Sequence, residues 1–252
     1  MKNFGLSRLA VVPPVAWEGA PRGGGPGTAR EDVLARAARL ARHASDVLDG
    51  LELHPDLRAA LGSATWVVGT TSRAVEGRPW LDPRATAAEL WRRSAAGEVA
   101  LVFGEERRGL SDGELELCQA VCTIPTAPAY DSMNLAQAVA VLSYELRLAG
   151  RSPGAPGPSQ APPRSVLEGT PEPVAMAPAR AVQAGAEPAQ HATVEALWDR
   201  ARAVLSRTGF LNPQNPEHIL ADLRRLISRA EPTQREVELV LAALRTIERK
   251  LD

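Results

Sequence analysis

No apolar run in this chain reaches the roughly 18–20 residues that a membrane-spanning helix needs. Cysteine is scarce: only Cys118 and Cys122 are present, too few for the disulfide framework of a small secreted domain. Their spacing suits half a metal site, but no second cysteine pair or nearby histidine completes a set of ligands, so no metal is expected. A charge excess is missing as well. The formal net charge is −1, which excludes a global basic attraction to nucleic acid and leaves only a local patch to supply one. The opening MKNFGLSRLAVVPP is too short and too polar for a secretory signal. These absences together predict a reduced, soluble, cytoplasmic protein without a membrane partner. An apolar content of 44% over 252 residues allows a sizeable core in one large domain or two small ones.

In chain order, Gly5 has the place of a helix stop signal, and Leu9 to Val12 reads as a buried strand ended by Pro13-Pro14. The Gly23–Gly27 cluster lacks the Gly-Lys-Ser/Thr ending of a phosphate loop and is expected to be a surface loop. Ala29 to Ala44 has helical spacing, Asp46–Leu48 is expected to be a short strand, and Pro55 to Leu61 a short helix. Thr65 to Gly69 is a buried strand that runs into Thr70-Thr71-Ser72-Arg73. Small hydroxyl residues after a strand put O–H and N–H groups within reach of a ligand, although ordinary turns use them too. Arg78 to Pro83 reads as a loop and Arg84 to Ala95 as a helix.

The most informative stretch runs from Ala100 to Ala149. An apolar strand ends at Phe103-Gly104, a charged loop closes on Gly109-Leu110, and a helical segment covers Ser111 to Ala120. A second apolar run, Val121 to Pro125, leads to Asp131-Ser132-Met133-Asn134, where a helix begins. Leu135, Ala138, Val139, Leu142 and Leu146 form one apolar face of that helix, suited to core packing or a subunit seam. Strand ends followed by loops and helices are where open α/β sheets hold ligands. Ser132 or Asn134 would cap the helix or present its free N–H groups to a polar ligand.

Residues 151–190 are dense in Pro, Ala, Gly and Ser and read as a linker without a core of its own. Residues 191–252 carry three apolar helical faces, around Leu197, Leu223 and Leu241, and predict a small three-helix bundle. Asn212-Pro213 and Asn215-Pro216 separate the first helix from the second, and Pro232 precedes the third. Arg224, Arg225 and Arg229 make the second helix basic, either as a solvated face or as an RNA contact surface.

Gly104-Glu105-Glu106-Arg107-Arg108-Gly109-Leu110 resembles the G-x-E-x-x-G-L motif of the SpoU/TrmH family in the SPOUT superfamily. Ile124-Pro125, followed by Asp131-Ser132-Met133-Asn134-Leu135 and Ala138, resembles that family's I-P…S-x-N-L…A motif, in the same order. The resemblance covers residues 1–150 and the helical tail. It implies an α/β parallel sheet with a C-terminal trefoil knot, an exception to the rule that chains avoid knots, and a small helical bundle after the linker. It implies a homodimer through the knot face and an S-adenosylmethionine-dependent RNA 2′-O-methyltransferase. The substrate implied is tRNA, at anticodon-loop position 32, with ribosomal RNA as the alternative. Thr70, Thr71, Ser72, Gly104, Ile124, Asp131, Ser132 and Met133 would bind the cofactor. Glu106, Ser132 and Asn134 would occupy the catalytic positions, and Arg73, Arg224 and Arg225 would bind RNA.

One family element has no match. The N-x-x-A-x-x-R motif, whose arginine is thought to activate the ribose hydroxyl, does not occur in this sequence. The resemblance places that arginine just ahead of a segment like Met1–Leu6. Met1 is therefore expected to be an internal methionine of a longer protein, and a chain truly starting there is expected to bind RNA or cofactor with little methyl transfer.

Overall fold

The computed structural model describes residues 1–13, 29–127, 133–151, 187–211 and 216–251. The Gly23–Gly27 cluster, Pro14, Asp131, Ser132, the greater part of the linker and the Asn212–Asn215 break lie outside the described residues.

A strand of seven residues, β3 (Ala64–Thr70), forms the axis of a four-stranded sheet in the order β4-β6-β3-β5. Its neighbours are β5 (Glu98–Val102) and β6 (Ala120–Cys122), and β4 (Trp80–Leu81) adds to β6 at the edge. All pairs are parallel. Alternate residues of β3 serve opposite faces, as the strand period of two requires. Val67 packs with Leu110, Leu115, Cys118 and Val121 on one side. Trp66 and Val68 pack with Leu90, Cys122 and Leu142 on the other. Both faces are covered, which explains why β3 reads as a continuous apolar run.

Helix α4 (Pro83–Ser94) starts on Asp82, which accepts the Ala85 N–H at 2.7 Å, and on a proline in its first turn. It packs against α6 (Leu135–Ala149), with Leu90 and Leu142 in the shared core. Burying each of these leucines contributes about 1.5–3 kcal/mol. The short α5 (Asp112–Glu116) covers the other face from a capping box between Ser111 and Glu114.

Several sequence expectations change. Leu9–Val12 is not a buried strand: β1 is only Ala10–Val11, partly exposed, and pairs with β2 (Glu52–Leu53) in a separate two-stranded ribbon. Asp46–Leu48 lies in helix α2 (Ser45–Asp49), which follows α1 (Ala29–Ala41) and a 3-10 turn and buries only Val47. The Arg78–Pro83 loop contains the edge strand β4, stabilised by backbone bonds from Val121 to Pro79 and from Thr123 to Leu81. Helix α5 is shorter than Ser111–Ala120 because the chain must turn at Leu117 to enter β6. The short helix near Pro55 is α3 (Leu57–Ala60), capped by Asp56. Gly5 does close a helical turn, at φ 82° after Lys2–Phe4.

The tail forms α7 (His191–Arg207), α8 (Pro216–Ala230) and α9 (Gln234–Leu251). Ala189, Leu197, Val237 and Leu241 make its own core. Its first turn docks at the N-terminal ends of the strands. Ala192 N–H donates to the Gly62 carbonyl at 3.1 Å, Arg58 pairs with Glu195 at 2.8 Å, and Arg93 pairs with Glu231 at 2.6 Å. The Arg93 guanidinium also lies 3.4 Å from the centre of the Trp66 ring, a cation–π contact. At the start of α7, buried His191 has no hydrogen-bond partner for either ring nitrogen. Its burial, with Arg224 and Arg58 nearby, holds its pKa below the usual histidine value.

Candidate active site

Because β5, β3 and β6 are parallel neighbours, their C-terminal ends lie along one edge. Gly69 is level with Val102, and Thr70 with Cys122. The loops that leave these ends carry Thr70-Thr71, Gly104 and Ile124 along the same edge of the sheet. Hydrogen bonds join them. Thr70 Oγ1 donates to the Val102 carbonyl at 3.0 Å, Thr71 N–H to the Cys122 carbonyl at 3.0 Å, and Thr123 Oγ1 to the Thr71 carbonyl at 2.7 Å. Thr123 escaped the sequence reading: a single threonine after a strand carries no local signal of a partner 52 positions away.

The loop after β5 folds back on itself. Gly109 N–H donates to the Glu105 carbonyl at 2.7 Å, and Gly109 sits at φ 66°. This return brings the Gly109-Leu110 backbone against Gly104, where a Cβ would lie 2.1 Å from the Gly109 carbonyl carbon. Gly104 is therefore required by close backbone approach within the loop. Arg73 joins this loop to the one after β3, donating to the Leu110 carbonyl at 2.9 Å and pairing with Asp112 at 2.8 Å.

Asn134, at the start of α6, meets the loop after β5. Its Oδ1 accepts the Ala136 N–H at 2.9 Å, capping α6, and its Nδ2 donates to Glu106 Oε1 at 2.8 Å. The same side chain thus caps α6 and meets Glu106, its partner across 28 positions. Met133 and Ile124 are half-buried and Ser72 is exposed. Asp131 and Ser132 lie outside the described residues.

The RNA candidates on α8, Arg224 and Arg225, line a cavity of about 190 Å³ together with Val75, Glu76, Arg78 and Asp112, the carboxylate that Arg73 pairs with. Arg224 is largely buried, paired with Glu195 at 2.8 Å and over the Trp198 ring. Arg225 pairs with Asp222. Both guanidiniums are paired within the protein, and Arg73 joins the loops after β3 and β5. The two cysteines are buried core residues, Cys118 beneath Gly69 and Cys122 behind α4. Burial pushes their thiols up to about 12 and about 11. Among the described residues, no group of three His, Cys, Asp or Glu side chains could hold a metal ion, and no helix is long and apolar enough to cross a membrane.

The chain is similar to known proteins along nearly its whole length. The SpoU rRNA Methylase family matches residues 28–144, and the family described as tRNA methyltransferase TrmJ, C-terminal domain, matches residues 192–252. The tRNA (cytidine/uridine-2′-O-)-methyltransferase TrmJ of Klebsiella pneumoniae is 32% identical over 99% of this chain and 88% of its own length. The tRNA (cytidine/uridine/adenosine-2′-O-)-methyltransferase TrmJ of Pseudomonas aeruginosa is 35% identical over 97% of this chain and 84% of its own length. The crystal structure of TrmJ from Zymomonas mobilis ZM4 superposes with a TM-score of 0.71 at 25% identity, covering 98% of this chain and 90% of that one.

Proposed function

From the premise that this chain belongs to the SpoU methylase family, in its TrmJ branch, we propose that it transfers a methyl group from S-adenosylmethionine to a ribose 2′-hydroxyl of tRNA, at anticodon-loop position 32. The observation that carries this reading is the junction of three strand-end loops, closed by the 2.8 Å bond from Asn134 to Glu106.

The residues present fit an adenosine-bearing methyl donor. Half-buried Ile124 and Met133 would offer apolar contact, Thr70 and Thr71 hydroxyl groups, and Gly104 keeps side-chain bulk out of the tight loop. Thr70, Thr71, Ser72, Gly104, Ile124 and Met133 would hold the cofactor, with Asp131 and Ser132 completing the set by family position. When bound, the cofactor supplies an electrophilic methyl on a sulfonium. The protein's part is to hold the ribose hydroxyl in line with that methyl, since orientation alone can supply several kcal/mol of rate. Asn134 fixes Glu106 through one carboxylate oxygen, Oε1. The second oxygen, Oε2, is left to accept from the ribose hydroxyl and orient it, and by family position Ser132 would share in orienting the ribose. The apolar face of α6 would contribute to a homodimer seam, the strand-end loops would form the knot, and the protein would work in the cytoplasm.

Incubation with methyl-labelled S-adenosylmethionine and unmodified tRNA, followed by mapping of ribose methylation, tests the reading. Label at position 32 supports it. Label elsewhere in tRNA, or in ribosomal RNA alone, refutes the assigned substrate position. Cofactor uptake without methyl incorporation refutes the enzymatic reading in favour of a binding protein.

A further inference from the structure

The basic side chains of the tail differ in their partners. On α8, Arg224 shares Glu195 with Arg58, and Arg225 pairs with Asp222. Between α7 and α9 the balance is different. Arg200, Ala242, Arg245, Thr246, Glu248 and Arg249 line an open groove of about 520 Å³. Glu248 is engaged with Arg200. Arg245 and Arg249 have no acidic partner among the described residues, and Arg249 reaches only the Thr246 hydroxyl, at 3.4 Å. Lys250 follows.

Arg245 and Arg249 are neighbours at i and i+4, where like charges cost a helix a few tenths of a kcal/mol. The dipole of α9 favours cations in its last turn, which accounts for Arg249 and Lys250. It does not account for Arg245, a turn further in, or for Arg200 on another helix. Finally, pockets for small molecules are lined mainly by apolar groups, whereas Ala242 is the only apolar residue in this lining. Guanidiniums in an open, polar groove suit a polyanion whose phosphates accept two parallel N–H bonds at a time.

We propose that the α7–α9 groove binds the phosphodiester backbone of the RNA substrate, with Arg245 and Arg249 as its main contacts. The proposal rests on the tRNA methyltransferase reading and moves the tail's RNA contact from α8 to α9. The docked end of α7, at Ala192, is eight residues from Arg200, about 12 Å along the helix. The groove therefore stays open while the tail is held on the sheet.

The test measures binding of unmodified tRNA across a salt series, for the full chain and for the double variant R245E/R249E. R235E serves as control, an exposed cation near the start of α9 and about 15 Å along the helix from Arg245. The expected result is at least a tenfold loss of affinity for the double variant at moderate salt. The slope of log K against log salt should become shallower by about 1–2, as loss of two phosphate contacts requires. R235E should change affinity less than twofold. If the full chain methylates tRNA and R245E/R249E binds with unchanged affinity and slope, the groove assignment is overturned alone. A full chain that neither binds nor methylates tRNA overturns the functional reading and the groove together. Tighter binding of polyglutamate than of tRNA by the full chain, lost in the double variant, would make the groove's occupant an acidic polypeptide and overturn the RNA assignment.

Discussion

Replacing Gly104 by alanine should disable the candidate active site while leaving the chain folded. The new Cβ would lie 2.1 Å from the Gly109 carbonyl carbon, 2.3 Å from the Leu110 nitrogen and 2.5 Å from the Gly109 oxygen. All three are backbone atoms, so no side chain can swing away. The Gly109-Leu110 strand of the loop must retreat by more than 1 Å to reach ordinary contact. Retreat strains the Glu105–Gly109 pairing and lifts Leu110, which is 4% exposed, from the core beside Val67. Partial loss of that burial costs about 2 kcal/mol. Displacement of the loop by this distance should lower methyl transfer by about 100-fold or more. Gly113→Ala is the matched control. Nothing lies within 4 Å of its Cβ, and it sits inside α5. Alanine there should raise stability by about 0.5–1 kcal/mol and leave transfer unchanged. Denaturant melts and methylation of unmodified tRNA measure both quantities. Full activity in Gly104→Ala at wild-type stability would refute the close-approach argument.

Three further predictions use other parts of the fold. An ideal Cβ at Gly62 lies 3.8 Å from the Ala192 Cβ, a separation suited to a disulfide. The pair Gly62→Cys and Ala192→Cys should therefore oxidise to a fast-migrating monomer on a non-reducing gel and stabilise the chain by up to about 5 kcal/mol; absence of that species would contradict tail docking within the chain. The lowered pKa of His191 means that unfolding takes up a proton in acid. Its contribution is intact above the unfolded value near 6.5 and declines as pH falls below it, by at most about 1.4 kcal/mol per pH unit. His191→Leu should flatten that part of the stability profile, and an unaltered slope would count against a buried neutral imidazole. The thiols, raised from 9.0 to about 12 for Cys118 and about 11 for Cys122, act in the opposite direction. Stability should fall as pH climbs from about 9 towards these values, because only the unfolded thiols ionise there. At pH 8 both should resist alkylation until the chain unfolds, and rapid labelling of the native protein would refute their burial.

Short-range chemistry made much of this fold legible. The apolar run at Thr65–Gly69, the Asp82-Pro83 helix start and the three helical faces of the tail are set by strand alternation, caps and the 3.6 period, each contained within a few residues. Strands of two residues were harder. Ala10–Val11, Glu52–Leu53 and Trp80–Leu81 are too short to show a period, and each is a strand only because a neighbour accepts its backbone. Asp46–Leu48 is helical rather than a strand because two apolar residues after an aspartate fit one turn of helix as well as a strand.

In the candidate site, the sequence alone specified the residue types and their order: glycine where backbone must crowd backbone, and Asn134 where a helix begins. It also determined the family, since two motifs at the right separation do not depend on their surroundings. Tertiary structure decided which polar groups meet and which charges remain unspent. Glu106 finds Asn134 and Thr123 finds Thr71 only because parallel strands end on one edge. Arg224 loses its availability to Glu195, and Arg93 meets Glu231 across 138 positions, while Arg245 and Arg249 keep their charge exposed. A basic residue reads the same in sequence whether or not a carboxylate faces it. That difference is created by packing between elements far apart in the chain, and no local pattern encodes it.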